Sequence, residues 1–470
     1  MPLKESIHGQ WSSRWVFILA ATGSAVGLGN IWKFPYLAGQ SGGGAFVLIY
    51  LLCILIIGIP VMMAEIMLGR RGRQSPINTM RTLAIESGHR PAWQWLGIMG
   101  VVAGFIILSY YSVIAGWSIA YTIQSGTGKF SGQTVDGISA IFADFIGDWE
   151  KLLLYHTIFM AMTIFVVMRG VKSGLEVAVK FLMPALFILL IVMVGYAMNT
   201  SKFTEGLAFL FKPDFSKLTF GIVITAIGQA FFTLSLGMGA IMVYGSYLSR
   251  KTSIATTTFA IAGMDTLVAL LAGIAIFPIV FENGLDPTGG PGLVFVTMTL
   301  AFGQMPAGDI FATIFFTLLT LAAWTSAISL LEPVVTYLVE NRGLKRNVAT
   351  MITGLATWLL GIVTVLSFNV WKFSFNFAGE KKDFGMFEIL DIIAANILLP
   401  VGAMFIGIFA GWFMSRDASR DELDIGDGKA YLVWRFLVRY VTPIGIFLVI
   451  LKLIGVLDGI VNTFKSIFTF

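Results

Sequence analysis

The sequence predicts an all-α integral membrane protein: eleven transmembrane helices arranged as two inverted five-helix repeats, spans 1–5 and 6–10, with broken helices 1 and 6. Three observations carry that prediction. The 470-residue chain is 57% apolar and only 12% charged, against about 45–50% and about 25% in a soluble domain. Its apolar residues fall in runs long enough for a bilayer core of roughly 30 Å, which takes about 20 helical residues to cross. Two of those runs carry glycine clusters at corresponding positions of two five-span halves. The first observation excludes an ordinary soluble enzyme, a disordered chain and a nucleic-acid binder. Forty Phe and fifty-one Gly agree with it, because Phe suits lipid contact and Gly lets membrane helices pack closely.

Taken in order, the runs are about 14–38, 44–69, 93–125, 152–169, 174–198, 219–248, 254–281, 307–341, 347–367, 386–415 and 430–456, numbered here as spans 1 to 11. Little chain is left between them, so residues 1–470 read as a single domain. It divides into a first repeat of about 11–198, a second of about 219–415 and an extra helix of about 430–456. The N-terminus lacks the layout of a signal peptide. Cys53 is the only cysteine, so no intramolecular disulfide is possible and cysteine says nothing about compartment.

Basic residues gather at the even-numbered exits. Arg70, Arg71, Arg73, Arg81 and Arg90 follow span 2, and Arg169 and Lys172 follow span 4. Arg250 and Lys251 follow span 6, Arg342, Lys345 and Arg346 follow span 8, and Arg416 and Arg420 follow span 10. Odd-numbered exits are mixed or acidic, as at Asp144, Asp148 and Glu150. Lys and Arg of short loops stay on the cytoplasmic side. The N-terminus, with Lys4 and Arg14, is therefore expected in the cytoplasm of a cell (plasma or inner) membrane and the C-terminus outside. The net charge of +5 is then a topology signal and not a ligand signal. Asn199-Thr200-Ser201 is a weak glycosylation pattern on the outer side.

Span 1 contains Gly23-Ser24-Ala25-Val26-Gly27-Leu28-Gly29-Asn30, and span 6 contains Thr233-Leu234-Ser235-Leu236-Gly237-Met238-Gly239. Gly costs about 1 kcal/mol relative to Ala inside a helix, and a mid-membrane break is tolerated only where freed backbone lines a cavity. Close packing is the alternative for either segment alone, since Gly23 and Gly27 also fit GxxxG. Their matched positions favour a transporter of inverted repeats with a binding site at the bilayer midplane.

At these residues the sequence resembles the neurotransmitter:sodium symporter family, bacterial members such as the leucine transporter in particular. Gly27 to Tyr36 (GLGNIWKFPY) with Gly42-Gly43-Gly44-Ala45-Phe46 resembles the family's first-helix signature. Gly228 to Ser235 (GQAFFTLS) resembles its sixth, Tyr110-Tyr111 its paired tyrosines, and Gly174 with Pro184 its helix-5 motif. The likeness covers nearly the whole chain. Familiar members have twelve spans; stopping after eleven bears on oligomerisation more than on transport.

The resemblance implies two sodium sites. The first would use the Ala25 carbonyl, Asn30, Thr233, Asp265 and the substrate carboxylate; the second the carbonyls of Gly23, Val26 and Ala322 with Thr325 and Ser326. Back-bonding of Thr325 and Ser326 to their own helix is the plainer reading of those hydroxyls. Asp265 stands where the leucine transporter has Asn, and Ala269 stands where it has Glu. By that resemblance Asp265 would supply a fixed negative charge beside Tyr50, Gln229 and Thr233, and transport without chloride is expected. Gly27 stands where monoamine members carry Asp, which implies an amino-acid substrate. Its carboxylate would meet sodium, the Leu28 and Gly29 amides and the Tyr111 hydroxyl. Its amine would meet the carbonyls of Ala25, Phe232 and Thr233 and the Ser326 hydroxyl. Its side chain would lie among Ser24, Ile107, Phe232, Ser235, Met238, Ser329 and Leu330. Met238 replaces a Phe, and flexible Met adapts to varied shapes. Bulky hydrophobic substrates, aromatic or branched aliphatic, are expected over glycine or GABA.

For the gates, Lys33 and Asp391 match the outer ion pair, with Tyr111 and Phe232 as the lid beneath it. Lysine cannot form the bidentate fork of the usual Arg. Trp11, Ser246, Tyr247 and Glu340 match the inner gate, with His8 where the family has Arg and Arg14 as a possible stand-in. Glu65 would brace the broken helices, and helix 5 would loosen between Gly174 and Pro184 to release sodium. The partners expected are an amino acid and the lipid bilayer, with no nucleic acid and no obligatory protein partner. The rival readings are a sodium-independent exchanger of the same architecture and a carrier for glycine or alanine. A channel lacks its continuous polar pore, and a membrane enzyme lacks a catalytic motif.

Overall fold

A computed structural model describes residues 7–285, 293–377, 380–426, 428–453 and 455–456. Among them, nine helices are long and apolar enough to cross a membrane. Gly44–Gly72, Pro91–Gly126, Trp149–Met168 and Val171–Ala197 are spans 2 to 5. Ile254–Glu282, Gly308–Arg342, Arg346–Ser367, Met386–Phe413 and Lys429–Leu453 are spans 7 to 11. Spans 1 and 6 are both interrupted. Arg14–Ala25 and Gly29–Gln40 meet at a 53° bend, and span 6 is the separate helices Phe220–Thr233 and Ala240–Ser246.

The breaks lie where the glycines are. In span 1 the chain leaves the helix at Val26, whose φ of −71° and ψ of 113° are extended. In span 6, Ser235, Gly237 and Gly239 all have positive φ, of 54°, 86° and 76°. Ser235 is the costly one, since only Gly adopts that region freely. Its hydroxyl donates to the Ser24 carbonyl at 2.8 Å, tying one break to the other. The freed Gly237 amide is capped by the fully buried Glu65 carboxylate at 2.6 Å, which meets the rule that a buried backbone donor finds a partner.

Span 8 packs along span 3 through the centre of the molecule. The C-terminal half of span 2 packs against Ala240–Ser246, where a Cβ on Gly69 would run into the Met242 carbonyl. Close backbone approach through glycine is how membrane helices gain contact without a hydrophobic drive.

The expected all-α character needs amendment outside the bilayer. A two-stranded antiparallel hairpin, Phe375–Phe377 with Glu380–Lys382, sits between spans 9 and 10. Short helices Pro76–Glu86, Val135–Gly147, Phe203–Phe211 and Arg416–Leu423 fill other connections. Span 4 starts at Trp149 and not at 152, because Asp148 caps it by accepting from the Lys151 amide at 3.1 Å. Glu150, read above as loop, is in its first turn.

Candidate functional site

The two breaks face each other and, with spans 3 and 8, enclose a cavity. Ser24, Ala25, Gly27, Leu28 and Gly29 line it from span 1, and Phe232, Ser235 and Met238 line it from span 6. Ile107 and Tyr111 come from span 3, and Ser326 and Leu330 from span 8. Two residues of the expected pocket stand one layer back. Ser329 hydrogen-bonds the Ser24 hydroxyl at 2.7 Å, and Thr233 faces the other side of its helix, toward Asp265.

The cavity's polar groups cluster at one end. Tyr111 Oη lies 3.4 Å from the Leu28 amide. A Cβ on Gly27 would come 2.6 Å from Ser326 Oγ and 2.8 Å from Tyr111 Oη, so this corner has room only for a residue without a side chain. The rest is lined mainly by Ile107, Met238, Leu330 and the Phe232 ring, and the Ser24 and Ser235 hydroxyls that also line it donate to Ser329 and to the Ser24 carbonyl. No carboxylate or basic group lines it among the described residues.

Behind the Phe232 and Thr233 turn lies a charge. Asp265 is fully buried, and its carboxylate accepts from Asn30 Nδ2 at 2.7 Å and from Thr233 Oγ1 at 3.0 Å. Asn30 Nδ2 also reaches Thr233 Oγ1 at 3.0 Å, and its Oδ1 takes the Gly27 amide at 3.0 Å. No ion pair joins Asp265 to a cation among the described residues. A buried carboxylate costs several kcal/mol unless charge or hydrogen bonds offset it. The nearby Gln229 amide donates to the Gly29 carbonyl at 3.1 Å. Gln229 Oε1 and the Tyr50 hydroxyl have no hydrogen-bond partner among the described residues.

Span 8 brings together the second expected set of oxygens. Ser326 Oγ reaches the Val26 carbonyl at 3.1 Å, Gly23 at 3.3 Å and Ala322 at 3.4 Å. Thr325 Oγ1 lies 3.0 Å from the Ala322 carbonyl. Ser326 thus crosses to the broken span 1, whereas Thr325 back-bonds to its own helix. Met183, next to Pro184 of span 5, closes this cluster, its sulfur being 3.1 Å from where a Gly23 Cβ would stand. Gly174 lies in the π-helical turn Val171–Leu175 that opens span 5, and Pro184 lies inside the helix Glu176–Ala197 that continues it.

At the C-terminal end of span 1, Lys33 and Asp391 form no ion pair. Lys33 Nζ sits 3.8 Å over the Phe232 ring, and Asp391 accepts from the Tyr110 hydroxyl at 3.0 Å. The expected ion-pair geometry is corrected accordingly: a point-charge ammonium without a fork finds the face of a ring.

At the N-terminal end of span 1, Trp11 donates its indole N–H to the Tyr244 carbonyl at 2.9 Å and its amide to the Tyr247 carbonyl at 3.1 Å. His8 Nε2 meets Glu340 at 3.2 Å, so the histidine itself reaches the carboxylate of the expected gate, and Arg14 is exposed. Glu340 also accepts from the Ser75 amide at 2.9 Å and Asn78 at 2.8 Å. Ser246 stays local, its hydroxyl donating to the Val243 carbonyl.

Three buried carboxylates escaped the sequence reading. Glu176 clasps the Ser12 amide at 2.7 Å and hydroxyl at 2.8 Å. Glu332, fully buried in span 8, binds the Tyr247 hydroxyl at 2.8 Å and Arg346 at 2.5 Å. Glu422 gathers Arg70 at 2.5 Å, Arg250 at 3.4 Å and Arg71 at 3.9 Å. The signal for Glu332 was in view, as an acid inside the apolar run of span 8.

With this geometry in place, comparison with known proteins gives a consistent result. The profile of the sodium:neurotransmitter symporter family matches residues 8–137 and 133–464. The sodium-dependent transporter YhdH of Bacillus subtilis (strain 168), itself uncharacterized, is 39% identical over 454 residues, 96% of this chain and 98% of that one. A sodium-dependent transporter of Haemophilus influenzae is 35% identical over 94% of this chain and 97% of its own length. The crystal structure of MhsT in complex with L-phenylalanine superposes with a TM-score of 0.86 at 43% identity, covering 94% of this chain and 99% of that one.

Proposed function

Because the chain belongs to the sodium:neurotransmitter symporter family, we propose that it imports bulky hydrophobic amino acids, aromatic or branched aliphatic, together with sodium and independently of chloride. The observation that carries this reading is Asp265, a fully buried carboxylate that faces the junction of both broken spans and has no cationic partner among the described residues. A bound sodium ion answers that charge, and Asp265 supplies the negative balance that chloride would otherwise bring. The second site is the Gly23, Val26, Ala322, Thr325 and Ser326 cluster, from which sodium displaces the Thr325 back-bond.

The substrate carboxylate fits the corner formed by Gly27, Leu28 and Tyr111, and its side chain the apolar remainder. The phenylalanine bound to MhsT supports the aromatic class. Eleven crossings fold as two inverted repeats plus span 11, with the N-terminus in the cytoplasm and the C-terminus outside. Lys33 with Phe232 and Tyr111 close the outer path, while Trp11, Tyr247 and Glu340 close the inner one. Spans 1, 2, 6 and 7 rock between them, and helix 5 opens at Gly174–Pro184. Sodium and substrate share one site, so each raises the other's affinity.

Uptake of labelled phenylalanine into proteoliposomes tests this reading. Replacing external sodium by choline abolishes uptake, and replacing chloride by gluconate leaves it within about twofold. Unlabelled leucine and tryptophan compete, and glycine does not. Sodium-independent uptake, loss on chloride removal, or a glycine preference each overturns the corresponding part. Thr325→Ala raises the half-saturating sodium concentration about tenfold, as expected for one lost ligand worth about 1.4 kcal/mol; an unchanged value removes Thr325 from the site.

A further inference from the structure

A groove lies away from the central cavity, between the start of span 3 and the end of span 10. Its floor on span 10 is Val401, Phe405 and Phe413, and on span 3 it is Trp93, Leu96 and Met99. Trp93 holds the walls apart by edge contacts with Phe409 at 5.0 Å and Phe413 at 4.7 Å. At one mouth stand His89 and Arg90. His89 Nε2 is pinned to the Phe413 carbonyl at 3.2 Å. Arg90 is exposed and pairs with no carboxylate among the described residues.

We propose that this groove is a binding site for an anionic phospholipid, with one acyl chain along the apolar floor and the phosphate at Arg90 and His89. Length argues for a lipid over a small polar ligand. From Val401 to Phe413 at about 1.5 Å per residue the floor runs about 18 Å, close to the roughly 15 Å of one leaflet's hydrocarbon. Antiparallel spans 3 and 10 place Met99 beside Val401 at the deep end and His89 beside Phe413 at the shallow end. The polarity thus changes from apolar to cationic in the same sense as a lipid changes from tail to headgroup. Exposed Trp95 and Trp412 flank the shallow end, which is where aromatic belts sit in a bilayer. Basic pockets between helices on the cytoplasmic side take acidic headgroups; that the lipid comes from the cytoplasmic leaflet rests on the orientation proposed above. The deep end adjoins the transport site, for Gly402 packs against the Gly237 carbonyl in the break of span 6.

Native mass spectrometry of the full chain in detergent tests the proposal without reference to transport or orientation. The probes are a phosphatidylglycerol and a phosphatidylcholine with the same acyl chains. The unaltered chain retains phosphatidylglycerol about fivefold better, the preference expected of one juxtamembrane Arg. Arg90→Glu brings the ratio to about one, while Arg81→Glu, on the same face but away from the groove, leaves it unchanged. Met99→Trp, which fills the deep end, lowers retention of both lipids. Equal retention of the two lipids by the unaltered chain overturns the proposal. So does an equal loss from Arg81→Glu and Arg90→Glu, which marks a diffuse surface preference, or full retention in Met99→Trp. A cooperative thermal unfolding transition in each variant, close to that of the unaltered chain, shows that it is folded.

Discussion

Asp265→Asn is expected to raise the sodium concentration needed for uptake by about 10²–10³. Two unit charges about 4 Å apart at an effective dielectric of about 20 interact by about 4 kcal/mol, or about 10³ in affinity. The substitution keeps size and exchanges one acceptor oxygen for an NH2 donor; the remaining oxygen accepts from Asn30 Nδ2 and the NH2 donates to Thr233 Oγ1, so both retain a partner and folding is spared. Sodium titration of phenylalanine uptake, or of sodium-induced thermal stabilisation, reads the shift. A half-saturating sodium concentration within threefold of the starting value would show that Asp265 does not face the ion. The same variant at high and low chloride separates two roles: a charge needed at the ion itself, and a charge needed only somewhere nearby, which a mobile anion restores.

Gly27→Ala is expected to lower uptake efficiency by at least about 10². The added Cβ lies 2.6 Å from Ser326 Oγ and 2.8 Å from Tyr111 Oη. Both hydroxyls belong to proposed ligand sets, one for sodium and one for the carboxylate, and making room displaces both. Hydrogen bonds to charged groups contribute about 1.5–3 kcal/mol each, and losing two gives about 10²–10⁴ in the product of binding steps. Gly263→Ala in span 7, where a Cβ meets nothing within 4 Å, retains uptake and controls for membrane insertion. Unaltered uptake in Gly27→Ala would place the carboxylate elsewhere.

Much of this was legible in the chain because membrane folding leaves few choices. An apolar run has to be a helix where no water can satisfy its backbone, so the long helices are placed within a few residues. The glycines of spans 1 and 6 announced the breaks for the same reason. Less was legible where partners are far apart in sequence. Glu176 meets Ser12 across 164 residues and Arg70 meets Glu422 across 352, and periodicity carries no information about such pairs. Arg70, Arg250 and Arg346 read only as topology signals, yet each also answers a buried acid. The Lys33 contact was missed because a lysine near an aspartate suggests an ion pair, and only the fold shows that Tyr110 has taken that aspartate and Phe232 the lysine. The hairpin at 375–382 is too short and polar to stand out from loop.

The way the N-terminal segment is fastened has a consequence for measurement. The Trp11 and Ser12 amides precede the first helix, and each donates outside its own segment, to the Tyr247 carbonyl and the Glu176 carboxylate. Neither proton is held by local secondary structure, so neither exchanges with solvent deuterium by ordinary helix fraying. Both are released only when residues 7–13 part from spans 5 and 6, and they should exchange together with one common opening free energy. Two adjacent amides thereby become a clock for the door at the N-terminal end of span 1, running slow when the chain is sealed there and fast when it is not.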